Sequence, residues 1–113
     1  MPIAQNHTWH KVAGSIAELS FSAEGIAAVS LDGKAICLVN FKNELYGCNA
    51  ICPHASGPLQ DGYIDALGHI VCPVHRYKFD IKNGRNVAGE GYSLKTYPVE
   101  ERADGIYVGI DQK

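Results

Sequence analysis

The sequence of 113 residues lacks any apolar run that approaches the length of about 18 residues that can span a membrane. Its first 20 residues also lack the apolar core of a signal peptide. We therefore expect a cytoplasmic protein without a membrane partner. The net charge of −2, and the lack of basic residues interleaved with aromatic ones, argue against a nucleic-acid partner.

A convincing 3.6-residue apolar period is also missing, as are a long internal repeat, a linker and a low-complexity segment. Short apolar segments separated by turn signals take their place, and this pattern predicts an all-β fold, an antiparallel sandwich or barrel. With 46% apolar residues, 113 residues suffice for one modest core. Residues 1–113 are therefore expected to form a single domain.

Hairpin signals recur along the chain. Ile26–Leu31 and Ala35–Phe41 flank Asp32-Gly33, a dipeptide that tolerates the positive φ angles of a two-residue turn. Asp104-Gly105 gives the same signal near the C-terminus. We therefore expect successive strands to pair as antiparallel neighbours.

A further hairpin is predicted at Lys42-Asn43, because Asn accepts the left-handed conformation. A two-residue turn here pairs Phe41 with Glu44 and places Cys37 directly opposite Cys48. Opposed cysteines can form a disulfide, but in a reducing cytoplasm we favour two small buried apolar residues. Neither is needed as a metal ligand.

Two short segments carry the chemistry, Cys52-Pro53-His54 and, after 17 residues, Cys72-Pro73-Val74-His75. Each offers a thiolate and an imidazole from a tight turn that proline stiffens, so four ligands can converge on one inorganic centre. A [2Fe-2S] cluster with two Cys on one iron and two His on the other uses this set. Tetrahedral zinc takes the same atoms, although zinc sites usually carry paired Cys followed by paired His.

At these residues the sequence resembles the Rieske family, and in particular its small Rieske-type ferredoxins. The similarity extends from Trp9 to about Ile110, and further shared motifs are Gly57-Pro58-Leu59, Asp61-Gly62, Phe79-Asp80 and Asn83-Gly84. The resemblance implies one [2Fe-2S] cluster per chain, bound in a two-loop cap at about residues 49–80. It also implies that Cys52 and Cys72 hold the buried iron, and His54 and His75 the outer one.

The ligand loops depart from some family patterns. Rieske members of respiratory complexes carry an extra Cys in each loop, whereas this sequence has Ala55-Ser56-Gly57 in one and Val74 in the other. Without that disulfide and with fewer hydroxyl donors, we expect a potential at the low end of the range, roughly −150 mV. Arg76 stands where a small residue often follows the second His. Its guanidinium either favours the reduced cluster or reaches solvent.

The resemblance implies a carrier of single electrons rather than an enzyme, moving them from a flavin reductase to a terminal oxygenase or similar oxidoreductase. The small subunit of a cytoplasmic nitrite reductase, bound to its large subunit, is the alternative within the family. A zinc-stabilised interaction domain is the alternative from another class. A Cys52 nucleophile activated by His54 is disfavoured, because it leaves the second Cys/His pair unexplained.

Overall fold

The computed structural model describes residues 7–31, 33–53, 57–74, 76–87 and 92–111. Two short 3-10 turns occur at Ile16–Glu18 and Leu59–Asp61. The ten strands are β1 His7–Ala13, β2 Ile26–Leu31, β3 Lys34–Phe41, β4 Glu44–Asn49, β5 Tyr63–Ile64, β6 His69–Val71, β7 Lys78–Asp80, β8 Thr96–Tyr97, β9 Val99–Arg102 and β10 Gly105–Asp111. Within these ranges no helix is long and apolar enough to cross a membrane.

The strands form three antiparallel sheets, in the orders β1-β10-β9, β2-β3-β4-β8 and β5-β6-β7. Sequential strands pair in most of them, as short hairpin turns require. The predicted all-β antiparallel fold is confirmed. The third, small sheet carries one of the two predicted ligand loops between β6 and β7.

Strand β3 runs through the middle of the molecule. Its residues 36–39 are all fully buried, so this strand is covered on both faces. Ile36 and Leu38 pack with Val108 of β10, whereas Cys37 and Val39 belong to a second core that includes Phe79 of β7. The four-stranded sheet thus packs on one face against the sheet β1-β10-β9. On its other face it packs against the part of the chain that carries the ligand loops.

The predicted Lys42-Asn43 turn is confirmed. Both residues have positive φ, 51° and 66°, as a two-residue turn of the type favoured in hairpins requires. The pairing of Phe41 with Glu44 and of Cys37 with Cys48 follows as predicted. A local turn preference therefore fixes the register of the central hairpin and, with it, the position of a buried cysteine pair.

Two predicted boundaries are wrong by one residue. Strand β3 begins at Lys34, which pairs with Leu31. The last hairpin turns at residues 103 and 104, because Gly105 already pairs with Arg102. The Tyr107 hydroxyl donates to the Asp104 carboxylate at 2.7 Å, and this contact holds the turn one residue earlier than the dipeptide signal indicated.

Asp65 organises the turn between β5 and β6. Its Oδ1 accepts hydrogen bonds from the Leu67 and His69 amides at 3.0 Å each, and its Oδ2 lies 2.9 Å from His69 Nδ1. Partial burial opposes ionisation of this carboxylate, but the hydrogen bonds from His69 and Leu67 outweigh it and lower the pKa of Asp65. His69 is therefore a half-buried partner of Asp65 rather than a free surface residue.

The Asp65→Asn variant should be less stable at neutral pH by about 1–2 kcal/mol, because the charged acceptor is lost. The lowered pKa in the folded state means that this stabilisation exists above the unfolded-state pKa and disappears as pH falls through the folded-state value. Thermal unfolding of both proteins across pH 2–8 measures this, and the two curves should converge at the acid end. Asp61→Asn, at an exposed carboxylate, is the control. A constant difference at every pH would contradict the assignment.

Candidate metal centre

Both predicted ligand loops are the closed ends of hairpins. The Cys52 amide donates to the Gly57 carbonyl oxygen at 2.9 Å, and the Cys72 amide donates to the Tyr77 carbonyl oxygen at 2.8 Å. In each loop the bond joins the cysteine to the fifth residue after it. The two loops therefore place their cysteines, Cys52 and Cys72, in equivalent positions, as expected of a centre held from two sides.

Beyond these bonds each loop continues into paired backbone. Ile51 bridges to Pro58 behind the first loop, and Val71 pairs with Lys78 behind the second. The Leu59 amide also donates to the Ala50 carbonyl oxygen at 2.7 Å. Because the bases of both loops are fixed by paired backbone, their cysteines are held by the fold and not by flexible chain.

The structure brings Cys52 and Cys72 together. Their exposed fractions are 1% and 0%, and the Cys52 thiol is close enough to contribute to the raised pKa of the Cys72 thiol. Both belong to the core that also contains Phe79 and Leu59. His54 and His75 lie outside the described residues, as do Ala55 and Ser56, so the predicted imidazole ligands remain a prediction.

The Cys72 thiol has an unusual environment. Burial raises its pKa, the Val74 amide at 3.4 Å lowers it, the neighbouring Cys52 thiol raises it, and the net result is a raised pKa. The Gly57 amide also donates toward this sulfur. A metal displaces the thiol proton, and the amide donors then stabilise the thiolate that remains.

One contact at this site carries no signal in the sequence. A Cβ atom at position 57 would lie 2.9 Å from Cys72 Sγ and 2.9 Å from Val74 Cγ2. Gly57 and Val74 are distant in sequence and belong to different loops, so their proximity becomes visible only in the folded chain.

The other two cysteines form a separate pair. Cys37 and Cys48 are 0% and 1% exposed, and both carry free thiols. Contact with Cys37, together with burial, holds the pKa of the Cys48 thiol well above its usual value. They are buried in the apolar core that also contains Phe79, as the sequence suggested.

Arg76 follows the second loop in a left-handed conformation, with a φ of 58°, and its side chain is exposed. A non-glycine residue pays about 1 kcal/mol or more for this conformation. This left-handed conformation explains why a small residue suits position 76. Whether the guanidinium also influences a bound cluster remains a prediction.

Arg76→Gly should therefore stabilise the protein by about 1 kcal/mol, since glycine adopts positive φ without strain. The measurement is the thermal unfolding of the cluster-loaded protein. Arg85→Gly is the matched control, because Arg85 is also exposed but has no positive φ, and it should destabilise slightly. Equal effects of the two substitutions would contradict the strain at Arg76. A fall in reduction potential in Arg76→Gly would show that the guanidinium acts on the cluster.

The described part of the site fits a sulfur-ligated iron centre. Two neighbouring buried thiols lie at the bases of the two loops, and backbone amides donate toward one of the sulfurs. Soft thiolate ligands with amide donors are the environment in which iron-sulfur clusters are held.

Comparison with known proteins adds a family match. A family model of the Rieske [2Fe-2S] domain matches residues 8–98. The ferredoxin component of a naphthalene 1,2-dioxygenase system from Pseudomonas putida is 34% identical over 95 residues, which cover 82% of this chain and 88% of the relative.

Solved structures share the fold. The ferredoxin of carbazole 1,9a-dioxygenase from Nocardioides aromaticivorans IC177 superposes with a TM-score of 0.76 at 25% identity, covering 89% of this chain and 96% of that one. A protein from Mycobacterium tuberculosis, named as the small subunit of an NADH-dependent nitrite reductase, superposes with a TM-score of 0.81 at 17% identity. The superposition covers 96% of this chain and 99% of that one. At that identity the second likeness concerns the fold alone.

Proposed function

The chain belongs to the Rieske [2Fe-2S] domain family, and we propose that it is a ferredoxin that carries single electrons from a reductase to a terminal oxygenase. The observation that carries the proposal is the pair of neighbouring buried thiols, Cys52 and Cys72, at equivalent positions in two loops. When bound, the Rieske-type [2Fe-2S] cluster accepts and gives up one electron at a time. The proposal includes a cytoplasmic location and a single domain over residues 1–113, with the loops at about 49–80.

In this proposal Cys52 and Cys72 bind the buried iron, and His54 and His75 bind the outer one. The support for the cysteines is their burial and mutual contact. The support for the histidines is their place in the sequence, two and three residues after those cysteines. The low potential, roughly −150 mV, is part of the proposal and rests on the lack of an extra cysteine in each loop and on the fewer hydroxyl donors in their sequence.

A partner can approach the cluster at the loops. The ligand-loop surface, defined as Ile51, Pro53, Pro58, Pro73 and Val74, is apolar and exposed, with exposed fractions of 49% for Ile51 and 37% for Val74. Exposed apolar groups in one place favour contact with another protein. An electron carrier needs such a surface because its donor and acceptor must come close to the cluster.

Charges beside this surface favour an acidic partner. Arg76 and Lys78 are exposed next to the second loop, and Lys78 makes only a loose ion pair at 3.8 Å with Asp65. Basic groups at the edge of a contact accelerate association with an acidic surface and make it sensitive to salt.

The terminal oxygenase is preferred as acceptor because relatives with matching length are named as ferredoxin components of dioxygenase systems. The nitrite reductase small subunit remains the second candidate, supported by likeness of fold. All four predicted ligands are present in this sequence, so the two candidates differ in the partner protein.

The test begins with anaerobically purified protein, in which iron, sulfide and zinc are quantified together with the visible and EPR spectra of the reduced state. We expect two irons and two sulfides per chain, as one [2Fe-2S] cluster requires. Stopped-flow mixing with a flavin reductase and then with a terminal oxygenase should show rapid reduction and reoxidation that slow with added salt. Stoichiometric zinc without a cluster, even after iron reconstitution, would instead indicate a structural zinc domain.

A further inference from the structure

Gly57 lies so close to the second ligand loop that a residue with a Cβ atom at position 57 would overlap with it. A Cβ atom there would lie 2.9 Å from Cys72 Sγ, 2.9 Å from Val74 Cγ2 and 3.3 Å from Val74 Cβ. Gly57 does not adopt a positive φ, so glycine is required here by space and not by backbone conformation.

Gly57 is also fixed on its own loop. Its carbonyl oxygen accepts the hydrogen bond from the Cys52 amide at 2.9 Å, and the next residue, Pro58, bridges back to Ile51. A side chain at position 57 therefore cannot be accommodated by moving residue 57 away without disturbing the backbone that holds Cys52.

Val74 makes the matching contact from the second loop. Its amide donates to Cys72 Sγ at 3.4 Å, while its side chain reaches across to Gly57. The side chain is 37% exposed, whereas Cys72 is fully buried. Val74 thus touches both the Cys72 sulfur and the opposite loop, and it reaches solvent where Cys72 does not.

We propose that Gly57 and Val74 are positioning residues that set the distance between the two ligand loops and close the Cys72 sulfur off from water. Among the described residues of the two loops, the Gly57–Val74 contact joins loop to loop beside the sulfurs, together with the Gly57 amide that donates toward Cys72 Sγ. This inference rests on the proposed cluster ligation by Cys52 and Cys72. It extends that proposal by naming residues that bind no metal and yet determine the geometry of the ligands.

Gly57→Ala should push the loops apart, because the added methyl group overlaps with Cys72 and Val74. We expect cluster iron to be lost to a ferrous chelator about ten times faster, an effect of the size that moderate overpacking produces. The g values of the EPR spectrum should also change. The matched control is Gly14→Ala, where the new Cβ meets only the flexible Glu18 side chain. Gly14→Ala should leave both readouts unchanged.

Val74→Ala tests the second half of the proposal. The smaller side chain should let water reach the cluster. Water stabilises the charged reduced cluster more than the neutral oxidised cluster, so the reduction potential should rise. Val87→Ala is the control, since Val87 is exposed to a similar degree but lies outside both ligand loops. The potential is measured by voltammetry on the loaded protein.

The double variant Gly57→Ala with Val74→Ala separates positioning from a general loss of stability. The smaller residue at 74 removes one of the two overlaps, so iron loss should be slower in the double variant than in Gly57→Ala alone. Unchanged iron loss and EPR spectra in Gly57→Ala, or additive effects in the double variant, would overturn the proposal. Failure of ligation by Cys52 and Cys72 gives a different result, because the unaltered protein would then hold no cluster.

Discussion

Cys72→Ser is expected to abolish cluster binding and to leave a colourless protein. Cys72 is fully buried and its sulfur receives amide hydrogen bonds that stabilise a thiolate. A serine hydroxyl is a harder ligand and gives up its proton far less readily, so it cannot replace the thiolate on iron. Cys52→Ser should have the same effect, because the two thiols are neighbours. The measurement is iron and sulfide per chain after anaerobic reconstitution, together with the visible spectrum.

The chain supplies its own controls for this experiment. Cys37 and Cys48 are as deeply buried as the ligand cysteines and belong to the same core. Cys37→Ala and Cys48→Ala should each lose some stability but bind a full complement of iron and sulfide. Loss of the cluster in these variants at a temperature where they remain folded, or its retention in Cys72→Ser, would contradict the assignment of the ligands.

Gly84→Ala is expected to destabilise the protein by about 3–5 kcal/mol. Gly84 has a φ of 77°, and a Cβ atom there would collide with the carbonyl oxygen of Leu94. The amide of Leu94 donates to the Gly84 carbonyl oxygen at 2.8 Å, so this backbone cannot retreat without losing a hydrogen bond. Leu94 is itself buried in the core beneath the ligand loops. Thermal unfolding of the loaded protein measures the loss.

Gly33→Ala separates the steric collision from the backbone conformation. Gly33 has the same φ of 77°, but no atom lies within 4 Å of a Cβ built there. This control should cost only about 1 kcal/mol, the penalty for a left-handed alanine. A similar loss of stability in the two variants would show that φ, and not the approach of Leu94, is what requires glycine at position 84.

Local rules account for the parts of the fold that the sequence predicted well. The register of the central hairpin depends on a two-residue turn at Lys42-Asn43, and one correct turn places every later pair, including Cys37 opposite Cys48. The same rule failed by one residue at the last hairpin, where the Tyr107 hydroxyl bonds Asp104 and the turn ends before Gly105. A side-chain contact made in the folded hairpin outweighed the dipeptide preference.

Local sequence rules also do not predict which face of the strand that contains Trp9 is buried. Trp9 has the size that favours core packing, but it pairs with Gly109 and lies half-buried with the Arg102 guanidinium 5.1 Å from its ring centre. The next residue, His10, pairs with the fully buried Val108. Because successive side chains of a strand point to opposite faces of the sheet, Trp9 points away from the face that buries Val108. Which face is buried depends on what packs against the sheet, and a single strand does not contain that information.

The sequence by itself determined the all-β class, the hairpin turns and the two Cys/His segments, because each of these depends on residues close together in the chain. Only the tertiary structure decided that Cys52 and Cys72 meet, and that Gly57 lies against Val74. These contacts join segments whose approach is set by the packing of the sheets, so no local pattern of residues specifies them.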